Sequence, residues 1–316
     1  MKSYKCQVIS DRLPRPVGAA AARHSSLVTR HSPAFSLIEL LVVITILGLL
    51  AGIAVPALKD MGKSNVQISA TRQLLDDVGR ARQLAMSQRT TVYMVFVPTN
   101  FWIPTWMDSS GNVTAAFTSL TPVQQIAVTN LIDKQLSGYR FMSYGRLGDQ
   151  PGQHAWHYID DKWQSLPEGS FISTYKFYIS RTAPAAMTIP EWKNQHLNSD
   201  GNVIYPFQTN AFPFPTEDSP RMILPCIAFN HQGRLIQQIA TDGVDSYLFT
   251  SDGYLPLEQG VVGYGVNPTT KAPVPTMVKP LDILERPPGN ATNIGYNIIH
   301  IDSLTGRATL EKFKLP

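Results

Sequence analysis

Cysteine is nearly absent: Cys6 and Cys226 are the two in 316 residues. One lies near the start of the chain and the other deep in its body, so no disulfide framework is available, and Cys226 reads as a small buried apolar residue. Acidic residues are almost missing from the first 34 positions, where Lys2, Lys5, Arg12, Arg15, Arg23 and Arg30 face Asp11 alone, a net of +5. The remaining 21 basic and 22 acidic residues balance to −1, so the pI of about 9.0 belongs to the leader and does not signal a nucleic-acid-binding body. Also absent are a Gly-rich phosphate loop, a nucleophile elbow and a zinc-ligand run, so no enzymatic activity is expected. Charged residues make up only 16% of the chain, but 43% hydrophobic content excludes a disordered protein.

What is present is one long apolar run, residues 35–58, FSLIELLVVITILGLLAGIAVPAL. At 1.5 Å per residue it makes a helix of roughly 36 Å, enough to cross a bilayer core of about 30 Å. The basic leader places its start in the cytoplasm. One carboxylate, Glu39, sits near the start of the run, where its insertion costs on the order of 2.5–3.5 kcal/mol. A residue so costly needs a partner, which makes Glu39 the most informative position in the chain. A secretory signal ending near Gly52-Ile53-Ala54 gains nothing from such a carboxylate.

The string Ala34-Phe35-Ser36-Leu37-Ile38-Glu39 resembles the signature of type IV prepilins and type II secretion pseudopilins, with alanine where that family has glycine before the scissile bond. The resemblance continues to Pro56, a common site of a helix kink in the family. It implies cleavage between Ala34 and Phe35 by prepilin peptidase, N-methylation of Phe35, and assembly through Glu39 and Pro56 with other pilins on an inner-membrane platform. It also implies a pilin-like α+β fold, with a long N-terminal helix packed on an antiparallel β-sheet head. The corresponding divisions are a cleaved leader (1–34), a transmembrane and assembly helix (35–58), an amphipathic stalk (59–90) and a β-rich head outside the cytoplasm (91–316).

Along the stalk, Val66, Leu74, Val78, Ala81 and Ala85 recur at helical spacing, predicting a face that lies on a sheet. Asp76 stands four residues before Arg80, in the favoured order for a helix ion pair. The pattern Ala81-Arg82 followed by Ala85, a strand at 91–97, a strand–turn–strand through Asn230-His231-Gln232-Gly233-Arg234 and a hairpin turn at Leu304-Thr305-Gly306-Arg307 are similar to H-type, FimT-like minor pseudopilins. Further strands are predicted at 171–179, 221–229, 234–239, 246–250, 261–266, 294–301 and 308–313. Residues 205–220 and 268–288, rich in proline, read as extended surface connections.

Residues 98–219 are not accounted for by the resemblance and hold all five tryptophans, Trp102, Trp106, Trp156, Trp163 and Trp192. They read as the core of an enlarged head, in preference to a partner or glycan surface. Two groupings carry metal-ligating residue types: His154 and His157 beside Asp160 and Asp161, and Asp242, Asp245 and Asp252 at two Asp-Gly turns. The first lies on no regular helix and the second is explained by turn chemistry, so no metal or cofactor is expected. FimT-like relatives that take up DNA use a basic C-terminal segment after a Gly-Arg pair. Here Arg307, Lys312 and Lys314 are the corresponding positions, but Asp302 and Glu311 dilute them, and nucleic-acid binding is not expected.

Overall fold

The structure is a computed structural model. It describes residues 36–312 apart from 100, 103–105, 108–112, 116, 118–119, 146–147, 151–154, 178–199, 202–203, 237–238, 242–245, 249–251, 275–280 and 289–296, and describes the backbone alone at 53–65, 106–107, 113–115, 239–241, 246–248 and 312. Two compact units, Met1–Val55 and Pro56–Pro316, divide the chain. Helix α1, Leu37–Gln88, contributes to both, and its backbone stays helical through Pro56.

Within the second unit α1 is followed by strands β1 (Val92–Phe96), β2 (Trp106–Met107) and β3 (Val113–Ala115), helix α2 (Pro122–Thr129), and strands β4 (Gly138–Tyr144), β5 (Trp156–Tyr158), β6 (Gln164–Ser165) and β7 (Ser170–Ile172). Then come β8 (Gln208–Pro213), β9 (Arg221–Phe229), β10 (Ile239–Thr241), β11 (Ser246–Leu248), β12 (Gly253–Gly263), β13 (Asp282–Glu285), β14 (Asn297–Ile301) and β15 (Ala308–Lys312). One antiparallel sheet runs β3-β2-β9-β1-β4-β5, with β6 on β4 and β8 on β9; a second runs β13-β12-β14-β15, with β7 on β12. The fold is α+β, an N-terminal helix packed on antiparallel sheets.

The stalk periodicity is realised as a packing face. Ala70, Leu74, Val78, Ala81 and Ala85 are fully buried against Met94, Phe96 and Phe141 of the first sheet and Leu255, Leu257, Ile299 and Ile301 of the second. Small residues at 81 and 85 let the helix backbone approach the strands closely. Polar side chains on the flanks of that face tie it down: Asn297 Nδ2 donates to Thr71 Oγ1 at 3.1 Å, Gln73 Nε2 donates to Tyr139 Oη at 2.8 Å, and Tyr139 donates to Asp77. Arg80 does not pair with Asp76 as its spacing predicts. Its guanidinium reaches Asp160 at 2.5 Å, a carboxylate only 11% exposed whose main-chain oxygen also accepts from Arg140. An exposed helix pair is worth only about 0.3–0.5 kcal/mol, so the less solvated partner wins.

Strand β1 is an unbroken apolar run because both its faces are covered. Val92, Met94 and Phe96 point to α1, while Val95 and the following Val97 enter a second core on the far side of the sheet. That second core takes in three of the five tryptophans, Trp102, Trp156 and Trp163. Phe101, Trp102, Leu120, Val128, Leu131 and Ile132 cover Met142, Phe212, Met222, Leu224 and Cys226 there, with Trp156 and Trp163 packed against them. Trp106 has no described side chain and Trp192 lies outside the described residues.

Several local expectations are corrected. Residues 171–179 are not one strand, since β7 stops at Ile172 and Lys176 N donates to Ser173 O in a 3₁₀ turn, Thr174–Phe177. The stretch 205–220 is not only a loop: β8 lies within it and pairs with β9 from Gln208↔Cys226 to Pro213↔Arg221. Residues 268–288 contain β13, an edge strand paired Val261↔Leu284. After the turn at Gly233, Leu235 bridges back to Phe229 but 234–236 form no strand; 237–238 lie outside the described residues, and Ile239 opens β10. Helix α2 was not anticipated, although Thr121, Pro122 and Gln124 form a capping box with proline in the first turn.

Candidate functional site

The first unit is built from residues that a head cannot use. Successive positions on a helix turn by 100°, so a continuous run of Leu, Ile and Val points in every direction. Every Leu, Ile and Val from Leu37 to Leu50 is exposed, with Leu37 at 84% and Leu47 at 58%. The polar exceptions are few: Thr45 Oγ1 donates to Val42 O at 2.8 Å, leaving its hydroxyl satisfied within the helix. Glu39 is the acidic residue of the first turn, exposed and without a partner among the described residues. Ala34 and Phe35 lie outside the described residues, and Pro56 is described in backbone only. Among the described residues no helix is long and apolar enough to cross a membrane. Side chains of the apolar run are described only as far as Gly52, short of the roughly 20 residues a span requires.

At the other end of the chain, two Gly-Arg turns meet over α1. Asn230 N donates to Arg234 O and Gly233 N to Asn230 O in one turn; Asp302 N donates to Arg307 O and Gly306 N to Asp302 O in the other. Both glycines have left-handed backbones, φ 77° and 65°. Arg82 Nε donates to Thr305 O at 2.7 Å, so the helix holds the second turn through a main-chain oxygen. The Gly-Arg pattern therefore has a packing role here. Arg307 is exposed, and Asp302 beside it is held ionised by the hydroxyl and amide of Thr305, which lower its pKa. The side chain of Lys312 is not described, and Lys314 lies outside the described residues.

The described members of the two metal-type groupings make the following contacts. His157 sits between Asp149 at 3.9 Å and Glu217 at 3.8 Å, Asp160 Oδ1 accepts from Arg80 while the Asp160 main-chain oxygen accepts from Arg140, and His154 lies outside the described residues. Asp252 accepts from Ser303 N at 2.8 Å and contacts His300 Nε2 at 2.7 Å; these bonds pull its pKa below the usual carboxylate range, although its partial burial opposes them. Asp242 and Asp245 lie outside the described residues. Two other ionisable groups are deeply buried and went unnoticed in the sequence, where nothing distinguishes them. Burial pushes Lys176 down to about 7, its ammonium resting on Tyr205 O and the Phe207 ring, and pushes Glu258 up to about 7.

A family model described as "Prokaryotic N-terminal methylation motif" matches residues 29–55. No curated protein and no solved structure matches the chain. The matched segment contains Ala34, Phe35 and Glu39 and ends one residue before Pro56. It supports a type IV pilin-like prepilin, a class whose motif implies assembly with other pilins in a filament.

Proposed function

We propose that the chain is a minor pilin or pseudopilin whose work is assembly rather than catalysis. It is anchored in the inner membrane with its start in the cytoplasm, processed by prepilin peptidase between Ala34 and Phe35, and passed by an assembly platform into a type II secretion pseudopilus or type IV pilus. The observation that carries this reading is the helix of the first unit, apolar in every direction, with Glu39 as the one charge among its described residues. Each large apolar side chain left in water forgoes about 1.5–3 kcal/mol, so a surface of this kind has to be covered by lipid or by copies of itself. After cleavage the new amine of Phe35 lies four residues before Glu39. The carboxylate can then neutralise that amine, or the amine of a neighbouring subunit inside the filament. The Ala81-Arg82 pattern and the two Gly-Arg turns support placing the subunit with the H-type, FimT-like minor pseudopilins.

Mass spectrometry of the protein purified from membranes is expected to show a chain beginning at Phe35 with a methylated amine, 316 − 34 = 282 residues long. An intact leader, or a start after Ala54, would overturn the processing. Replacing Glu39 with alanine is expected to leave membrane insertion unchanged and to weaken incorporation into filaments about 100-fold, the cost of leaving one buried charge unpaired. Immunoblots of sheared filaments against membranes measure this, and equal incorporation would remove the assigned role.

A further inference from the structure

One short stretch joins the two sheets of the head. Its first part, β6, pairs with β4 in the first sheet, and its second part, β7, pairs with β12 in the second. Main-chain bonds continue the stitch: Ile172 N donates to Leu136 O at 2.9 Å, Ser173 N to Pro256 O at 3.1 Å, and Gly260 N to Gly169 O at 3.0 Å. Facing β7 in the middle of β12 is Glu258, paired with Phe171 and only 2% exposed. Among the described residues its Oε1 accepts no hydrogen bond. A buried carboxylate without a cation is normally tolerated only as the neutral acid.

The surroundings confirm that no cation faces it among the described residues. Strand β7 offers Ser170, Phe171 and Ile172, and the Ser173 hydroxyl just beyond faces the carboxyl. Strand β13 offers Glu285, a like charge opposite Gly260. Lys176, three residues past Ser173, spends its ammonium on Tyr205 O, and His300 on the neighbouring β14 is engaged by Asp252. Glu258 is also the only charged side chain on β12 itself.

We propose that Glu258 is a proton-operated catch on this seam: as the neutral acid it lets β7 close on β12, and as a carboxylate it is driven toward water and opens the pairing. The sign follows from linkage. Closed, the group titrates near 7, raised by burial and by Glu285 against the opposing Ser173; open, it titrates near 4.5. Closure is therefore fully favoured below about pH 4.5 and is progressively lost as pH rises toward 7. From pH 5 to 8 the opening equilibrium should grow about 70-fold.

Hydrogen exchange followed by mass spectrometry on the full chain in detergent micelles tests this, after correction for the intrinsic pH dependence of exchange. Peptides covering β7 and β12 are expected to lose protection by about 70-fold between pH 5 and 8, while the β1 peptide holds, and Glu258→Gln is expected to abolish the pH dependence. An unchanged pH course in Glu258→Gln, or equal loss in β1, would overturn the proposal. Should the variant fail to fold, carbon NMR of the Glu258 carboxyl in the wild-type chain decides: a midpoint near 7 supports the catch and one near 4.5 refutes it.

Discussion

Replacing Gly306 with alanine is expected to destabilise the head by at least about 4 kcal/mol, a loss in the exceptional range for a single methyl group. The backbone at Gly306 is left-handed, φ 65°, which costs an alanine about 1–2 kcal/mol by itself. The larger part comes from what the methyl would meet. Its position lies 2.0 Å from Gly233 O and 3.2 Å from Arg82 Cδ, so the two turns must separate and the Arg82–Thr305 bond must break. Gly201 is the matched control: it too has positive φ, 81°, but nothing stands within 4 Å of the added atom. Urea unfolding of the two variants in detergent separates collision from backbone strain, and equal losses would show that the contact between the turns is not what position 306 requires.

Phe212→Ala is expected to lose about 3–5 kcal/mol, the usual cost of emptying an aromatic site in a packed core. Phe212 is fully buried on β8, with its ring edge-on to Tyr93 at 5.3 Å and to Trp156 at 4.8 Å. Trp102, Trp156 and Trp163 all lie in this core, so its unfolding can be followed by tryptophan fluorescence. Tyr144→Ala supplies the comparison: that ring also lies 5.0 Å from Trp156 but is 46% exposed, and its removal should cost about 1–2 kcal/mol, well below the loss at Phe212. Similar losses for the two would mean that the layer over the far face of the first sheet is an ornament on the head. A large difference makes it a second core on which the sheet depends.

How far the sequence could be read differs from one element to the next for a common reason. Leu74, Val78, Ala81 and Ala85 were recognisable because helical burial repeats along the chain, and the match ended in a buried face. The matches for β1 and β9 came the same way, from runs of β-branched and aromatic residues. The missed elements were those whose formation depends on a distant neighbour. Strand β8 reads as a proline-rich loop until β9 is laid beside it, and β13 exists because β12 is long enough to receive it. Arg80 had a plausible partner four residues away and took one eighty residues away, because Asp160 is the less hydrated of the two.

For the site the division is sharper. An N-terminal segment with Ala34, Phe35 and Glu39 before an unbroken apolar run is a local pattern, so the sequence by itself determined the proposed cleavage, the helix and the place of its one carboxylate. Only the tertiary structure decided that the two Gly-Arg turns touch, that Trp102, Trp156 and Trp163 line a second core, and that Glu258 lies at the seam between sheets without a cation among the described residues. Such facts depend on which strands lie side by side, and strand pairing is set by burial and hydrogen bonding between segments far apart in the chain.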